Sequence, residues 1–226
     1  MRIDIIRTSA SAPRWIKEST EALKQFLKWS GELRWIVHED VLNKEASDQC
    51  LEYIRENYDL YEAHNPPIGQ GHSLTWLLGQ SDSKYILNIE DDFKPVREID
   101  LDLCVNLMET CPDRINQICF NKRETMSEKP GFKKAEVKFG DTTLTTNPHW
   151  ALIPALWRAE YIKPRWVDFK QGDHWDLNDR LKGRAGKVLP AEWVLNNTKT
   201  FYFGPIGERQ LMQHLGCEKS RREHQI

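Results

Sequence analysis

The order in which strand-like and helix-like runs follow one another narrows the possible folds of this chain most. Ile3 to Ile6 is a short apolar run, and Pro13 to Trp29 carries apolar residues at Trp15, Ile16, Leu23, Phe26 and Leu27, a helical spacing. Leu33 to Val37 reads as a strand after Gly31, and Ala46 to Asn57 as a helix. Leu60 to Ala63 is again strand-like, His72 to Gln80 helical and Lys84 to Ile89 strand-like. Repeated strand and helix units of this kind build a mostly parallel sheet with helices on its faces. The expected fold class is therefore α/β, and in such sheets ligands bind beyond the carboxyl ends of the strands.

Further along, Asp100 to Thr110 predicts a helix, and Ile115 to Asn121, Ala135 to Phe139 and Thr142 to Thr146 predict strands. Trp175 to Lys182 predicts another helix. No internal repeat, low-complexity segment or long linker divides the 226 residues, so a single domain is expected. A chain of this size buries roughly 70% of its unfolded surface, enough for a substantial core.

Composition excludes several classes. With 39% hydrophobic residues, nine Trp and eight Phe, the chain is too apolar to be disordered. A net charge of -2 gives no general basic field for nucleic acid, although Lys219, Arg221 and Arg222 form a local cluster. Five cysteines without a C-x-x-C pair point to reduced, mostly buried thiols. The first seven residues place charges inside their apolar run, unlike a signal peptide, and no stretch approaches the roughly 20 apolar residues of a membrane span. The expected setting is cytoplasmic, in a bacterium or in the host of a virus.

Chemistry is concentrated where Tyr85-Ile86-Leu87-Asn88-Ile89 runs into Glu90-Asp91-Asp92. Three adjacent carboxylates repel one another unless a cation or hydrogen-bond donors share the site. Mg²⁺ or Mn²⁺ accepts one or two protein carboxylates and leaves its other positions to water and substrate phosphates. The same acids also suit a solvated turn opening a following helix.

Gly69-Gln70-Gly71-His72-Ser73-Leu74-Thr75-Trp76-Leu77-Leu78, followed by this strand and triplet, resembles the GT-A glycosyltransferases, in particular their large inverting family-2-type group. The resemblance implies a Rossmann-like GT-A domain, with residues 1–100 binding a nucleotide-sugar donor and residues 101–226 binding the acceptor. It makes Asp92 the residue that meets the metal, with Glu90 and Asp91 on the donor side and Gly69 at the donor-binding turn. Leu74 and Thr75 stand where that group often has Arg and Asn, and Glu90 replaces its usual first Asp.

Gly172-Asp173-His174-Trp175-Asp176, with Arg180-Leu181 and Gly186 after it, resembles the group's second block. An acceptor hydroxyl must lose its proton as it attacks, so a base must stand within hydrogen-bond reach. Asp173 is the first candidate, with His174 and Asp176 as alternatives; His174 also counts among the acceptor-binding residues. Asp173 would equally serve as a helix cap. Phe201-Tyr202-Phe203-Gly204 and Gln213-His214-Leu215-Gly216 resemble the late region of metal-dependent members, which makes His214 the second metal ligand. Asn147, His149 and Trp150 offer an amide, an imidazole and an aromatic face for sugar recognition. Thr8 and Glu39, which follow the first and second strands, stand in the two places where the resemblance puts the nucleotide.

The expected activity is transfer of a sugar from a nucleoside-diphosphate sugar, with Mn²⁺ or Mg²⁺, to a glycan, small molecule, protein or modified DNA base. A metal-dependent nucleotidyltransferase or nuclease would also use clustered carboxylates. A noncatalytic carbohydrate-binding module would account for the Trp content but not for the triplet.

Overall fold

The computed structural model describes residues 1–121, 135–147, 152–166 and 199–215. The expectations placed on His149, Trp150, Asp173, His174, Asp176, the 175–182 helix, Cys217 and the 219–222 cluster lie outside the described residues.

In chain order the elements are β1 (Arg2–Ser9), α1 (Pro13–Phe26), β2 (Leu27–Lys28), β3 (Glu32–Asp40), α2 (Lys44–Asn57), β4 (Leu60–His64), α3 (Gln70–Gln80), β5 (Tyr85–Glu90), β6 (Phe93–Pro95) and β7 (Ile99–Asp100). They continue with α4 (Leu101–Thr110), β8 (Gln117–Cys119), β9 (Glu136–Phe139), β10 (Thr142–Thr146), β11 (Ala155–Arg158), α5 (Ala159–Trp166), β12 (Thr200–Phe203) and β13 (Met212–His214).

Local chemistry sets the boundaries. Pro13 stands in the first turn of α1, where its missing N–H costs nothing, and Ile16, Ser19, Thr20 and Leu23 form the buried stripe. Asn43 caps α2 by accepting from the Ala46 amide at 3.0 Å, and Asp100 caps α4 by accepting from Leu103 at 2.8 Å. The first helix ends earlier than its apolar spacing suggested. Leu27 and Lys28 leave it to pair with Ile99 and Asp100, so a small second sheet takes residues that keep the helical period.

The main sheet has the order β4-β3-β1-β5-β11-β8-β12-β10-β9. Its first four strands are parallel, as the sequence predicted. Beyond β5 the sheet is mixed, because β11 runs antiparallel to both β5 and β8. Strand order reverses direction at β1, with β3 and β4 on one side and β5 on the other, which opens a crevice at the carboxyl ends of β1 and β5. Thr8 and Ser9 lie inside β1, and Glu39 and Asp40 inside β3, not in the loops after them, because parallel pairing of β1 and β3 continues to Ser9 and Glu39.

The central strands alternate their side chains between two cores. Ile3, Ile5, Leu87 and Ile89 face α4 and Leu23 of α1, whereas Ile6, Ile36 and Ile86 face Leu74, Leu77 and Leu78 of α3 and Ile162 of α5. Val37 turns opposite to Ile36 and packs with Ile16, Cys50 and Ile54 beneath α1 and α2. Full burial of each such aliphatic side chain contributes about 1.5–3 kcal/mol. Cys50, Cys104 and Cys119 are buried free thiols and Cys111 is half-buried. No helix among the described residues is long and apolar enough to cross a membrane.

Candidate active site

Parallel pairing brings the ends of three strands to one rim. Thr8 lies in register with His38 on one side and Glu90 on the other, and Ser9 lies in register with Glu39. Four of the sequence candidates, Thr8, Glu39, Glu90 and Asp91, therefore gather at the crevice because strand register requires it.

The acidic triplet does not open a helix. Asp91 and Asp92 form a turn between β5 and β6. Gln70, the first residue of α3, donates its side-chain amide to Glu90, and the Ala10 amide donates to Asp91 at 3.1 Å. These donors do not offset the cost of crowding. Burial, reinforced by the Asp92 charge, pushes the Glu90 carboxyl up to about 8, and the same two causes push Asp91 up to about 7. The Ala10 amide and the buried Arg7 guanidinium act in the opposite direction on Asp91.

His214 reaches the triplet from the far end of the described chain. Antiparallel pairing of β13 with β6 sets His214 opposite Phe93, and the Leu215 amide donates to the Asp92 carbonyl at 2.6 Å. The His214 Nε2 then lies 2.7 Å from Asp92 Oδ2, with its ring 4.4 Å from that of Phe93. The other carboxylate oxygen, Asp92 Oδ1, is buried without a hydrogen-bond partner. A carboxylate with one orphaned oxygen beside an imidazole is a fitting donor pair for Mn²⁺, which takes oxygen and nitrogen ligands.

A second set of contacts builds the rim where the nucleotide half was expected. Glu39 is fully buried; its Oε1 accepts from the Ser11 amide at 2.8 Å and the Ser47 hydroxyl at 2.7 Å, while Oε2 has no partner. Ser11, with φ 54°, accepts from the Leu42 and Asn43 amides at 2.9 Å, which ties the loop after β1 to the loop after β3. Asp40 accepts from the Ile68 amide at 3.0 Å and the Gly69 amide at 2.9 Å. Gly69 caps α3 with φ 83° and ψ 155°, a conformation open almost solely to glycine. Its own amide is held by Asp40, so it shapes the turn without offering that N–H to a ligand.

Sequence reading passed over Asp40, Ser11, Gln70 and Arg7. Asp40 was visible only as the neighbour of Glu39, and Arg7 as one charge within an apolar strand. Fully buried, Arg7 donates to Thr20 at 2.9 Å and Ser19 at 2.8 Å, and Ser19 donates to the Phe93 carbonyl. This chain of contacts fixes α1 against the strand that follows the triplet.

Asn147 is fully buried, with its backbone amide donating to Thr200 at 2.9 Å and its side-chain amide donating to the Cys119 sulfur at 3.6 Å. Its described contacts are thus with the mixed half of the sheet.

No family model matches the chain, and no curated protein matches it by sequence. Solved structures do. TarS of S. aureus aligns at 15% identity with a TM-score of 0.57, covering 94% of this chain and 36% of its own. TarS residues 1–349 in complex with UDP-GlcNAc align at 14% identity and TM-score 0.57, covering 96% of this chain and 61% of theirs. The mannosyltransferase PcManGT from Pyrobaculum calidifontis, in complex with GDP-Man and Mn²⁺, aligns at 11% identity and TM-score 0.53, covering 89% of this chain and 56% of its own. The chain spans between 36% and 61% of the length of these three. The fold they share with it is the GT-A, Rossmann-like arrangement of a central sheet flanked by helices.

Proposed function

We propose that this chain is a metal-dependent glycosyltransferase, which moves a sugar from a nucleoside-diphosphate sugar to an acceptor hydroxyl with inversion at the anomeric carbon. The observation that carries this reading is the apposition of His214 and the half-satisfied Asp92 at the carboxyl end of β5, in a GT-A fold. UDP-GlcNAc and GDP-Man in the complexes of its structural neighbours support a nucleotide-sugar donor.

Asp92 Oδ1 and His214 Nε2 are the atoms that would hold Mn²⁺ or Mg²⁺, which, when bound, neutralises the departing diphosphate. For the imidazole to ligate, its contact with Asp92 must give way to a shared position beside the ion. Glu90 and Asp91 face the donor, with Gln70 and the Ala10 amide restraining their carboxylates. Thr8 and the buried Glu39 meet the nucleoside on the β1 and β3 rim, and Gly69 closes it through its turn. In the acceptor half, residues 101–226, Asp173 takes the proton from the acceptor hydroxyl as its oxygen bonds to the anomeric carbon. The bond to the diphosphate breaks, and the leaving group departs with the electron pair. Asn147, His149, Trp150 and His174 complete acceptor recognition in this reading.

A thermal-shift series with UDP-GlcNAc and GDP-Man, with and without Mn²⁺, tests it, because a ligand that binds only the folded state raises its stability. Stabilisation by a donor that requires Mn²⁺ is the expected result. No response to any nucleotide sugar, with or without metal, rejects the reading.

A further inference from the structure

Two histidines meet on the α3 face of the sheet, apart from the Asp92 and His214 pair. His38 of β3 is fully buried, and its ring stands against Trp76 of α3 at 5.7 Å. Its Nε2 lies 2.8 Å from Nδ1 of His64, the last residue of β4, and the two rings stack at 5.0 Å with an interplanar angle of 17°. Glu62 sits opposite His38 in the β3 and β4 register. One ligand atom from each of His38, Glu62 and His64 lies within 4.8 Å of the other two.

Several features of this cluster suit an ion. Glu62 Oε2 and His38 Nδ1 are buried without hydrogen-bond partners. The ring nitrogens turned away from the His–His contact face carboxylates, His38 Nδ1 at 3.9 Å from Asp40 Oδ1 and His64 Nε2 at 3.7 Å from Glu62 Oε1.

We infer that His38, Glu62 and His64 form a second metal site, for a divalent cation of the zinc class. Two imidazoles and one carboxylate match a three-ligand zinc set whose fourth position is left to water. Bond lengths of 2.0–2.1 Å put two nitrogens on a tetrahedral zinc roughly 3.3 Å apart, so the His38 and His64 contact needs to open by only about 0.5 Å. Solvent reaches the site from the sheet edge, where the Glu62 and His64 side chains are 37% and 36% exposed while that of His38 is 0%. This nitrogen-rich set differs from the oxygen-dominated environment of the triplet, so the two sites select different metals. An ion here pins edge strand β4 to β3 and fixes the start of the loop from Asn65 to Gly69, which closes the rim at Asp40. The inference does not depend on the proposed transferase activity.

Calorimetric titration of the full chain with Zn²⁺ alone, with thermal shift in parallel, tests the site. The expected result is one site that survives Asp92→Asn and weakens at least tenfold in His64→Gln and in Glu62→Gln. With Co²⁺ as the probe, tetrahedral coordination gives visible d–d absorption that His64→Gln removes. Should His64→Gln fold poorly by circular dichroism, the surface change Glu62→Gln decides alone. Absence of Zn²⁺ binding, binding indifferent to these variants, or binding lost with Asp92→Asn instead overturns the inference.

Discussion

His214 Nε2 lies 2.7 Å from Asp92 Oδ2, a contact made by the pairing of β13 with β6. Neither residue draws the other in alone. The short antiparallel ladder and the Leu215 amide bond to the Asp92 carbonyl set the register, and register carries the imidazole to the carboxylate.

Asp92→Asn keeps the shape of the side chain and removes its charge. The variant is expected to fold as the parent does and to lose Mn²⁺-dependent binding of the nucleotide sugar at least tenfold. Calorimetry with Mn²⁺ and the donor checks this, and parental binding of both would remove Asp92 from the metal site.

Asp173→Asn is expected to separate binding from chemistry. Donor binding with metal stays at the parental level while transfer falls by about two to four orders of magnitude, the usual contribution of a positioned base. A transfer assay that showed the parental rate would move the base to another residue, with His174 and Asp176 next to be changed.

The raised carboxyls of the triplet make a signed pH prediction. Glu90 at about 8 and Asp91 at about 7 bind protons more tightly in the folded than in the unfolded chain. Their stabilising contribution is therefore fully present below the usual carboxylate range and is lost as pH rises through about 7 to 8. Thermal melts of the metal-free protein should show a component that falls across this window. Glu90→Gln should reduce that component, and an unchanged slope in Glu90→Gln would show that Glu90 is ionised throughout.

Gly69→Ala places a Cβ on a backbone with φ 83° and ψ 155°, at a cost of about 1–3 kcal/mol. Asp40→Ala orphans the Ile68 and Gly69 amides and is expected to cost about 2 kcal/mol or more. Urea unfolding measures both. Because the two changes act on one turn, their combination should cost less than the sum of the separate effects.

The parallel half of the sheet was legible because local pattern and final environment agree there. Tyr85 to Glu90 is an apolar run interrupted only by Asn88 and ending in acids, and the structure buries it as a central strand between two helical layers. The mixed half was less legible. Ile115 to Asn121 contracts to Gln117–Cys119, and β11 with α5 follows where no strand or helix was expected, since short segments gain their state from neighbours and not from period.

The sequence by itself determined which groups are candidates for the chemistry: three adjacent carboxylates after an apolar strand, a glycine ahead of a helix, and a late histidine. Residue type and short-range spacing are local properties, and one chain records them. Tertiary structure alone decided that Asp40 holds the Gly69 turn, that Glu39 is buried with one unpartnered oxygen, and that His38 meets His64 across β3 and β4. Those relationships follow from strand register and from packing between distant segments, which no local pattern encodes.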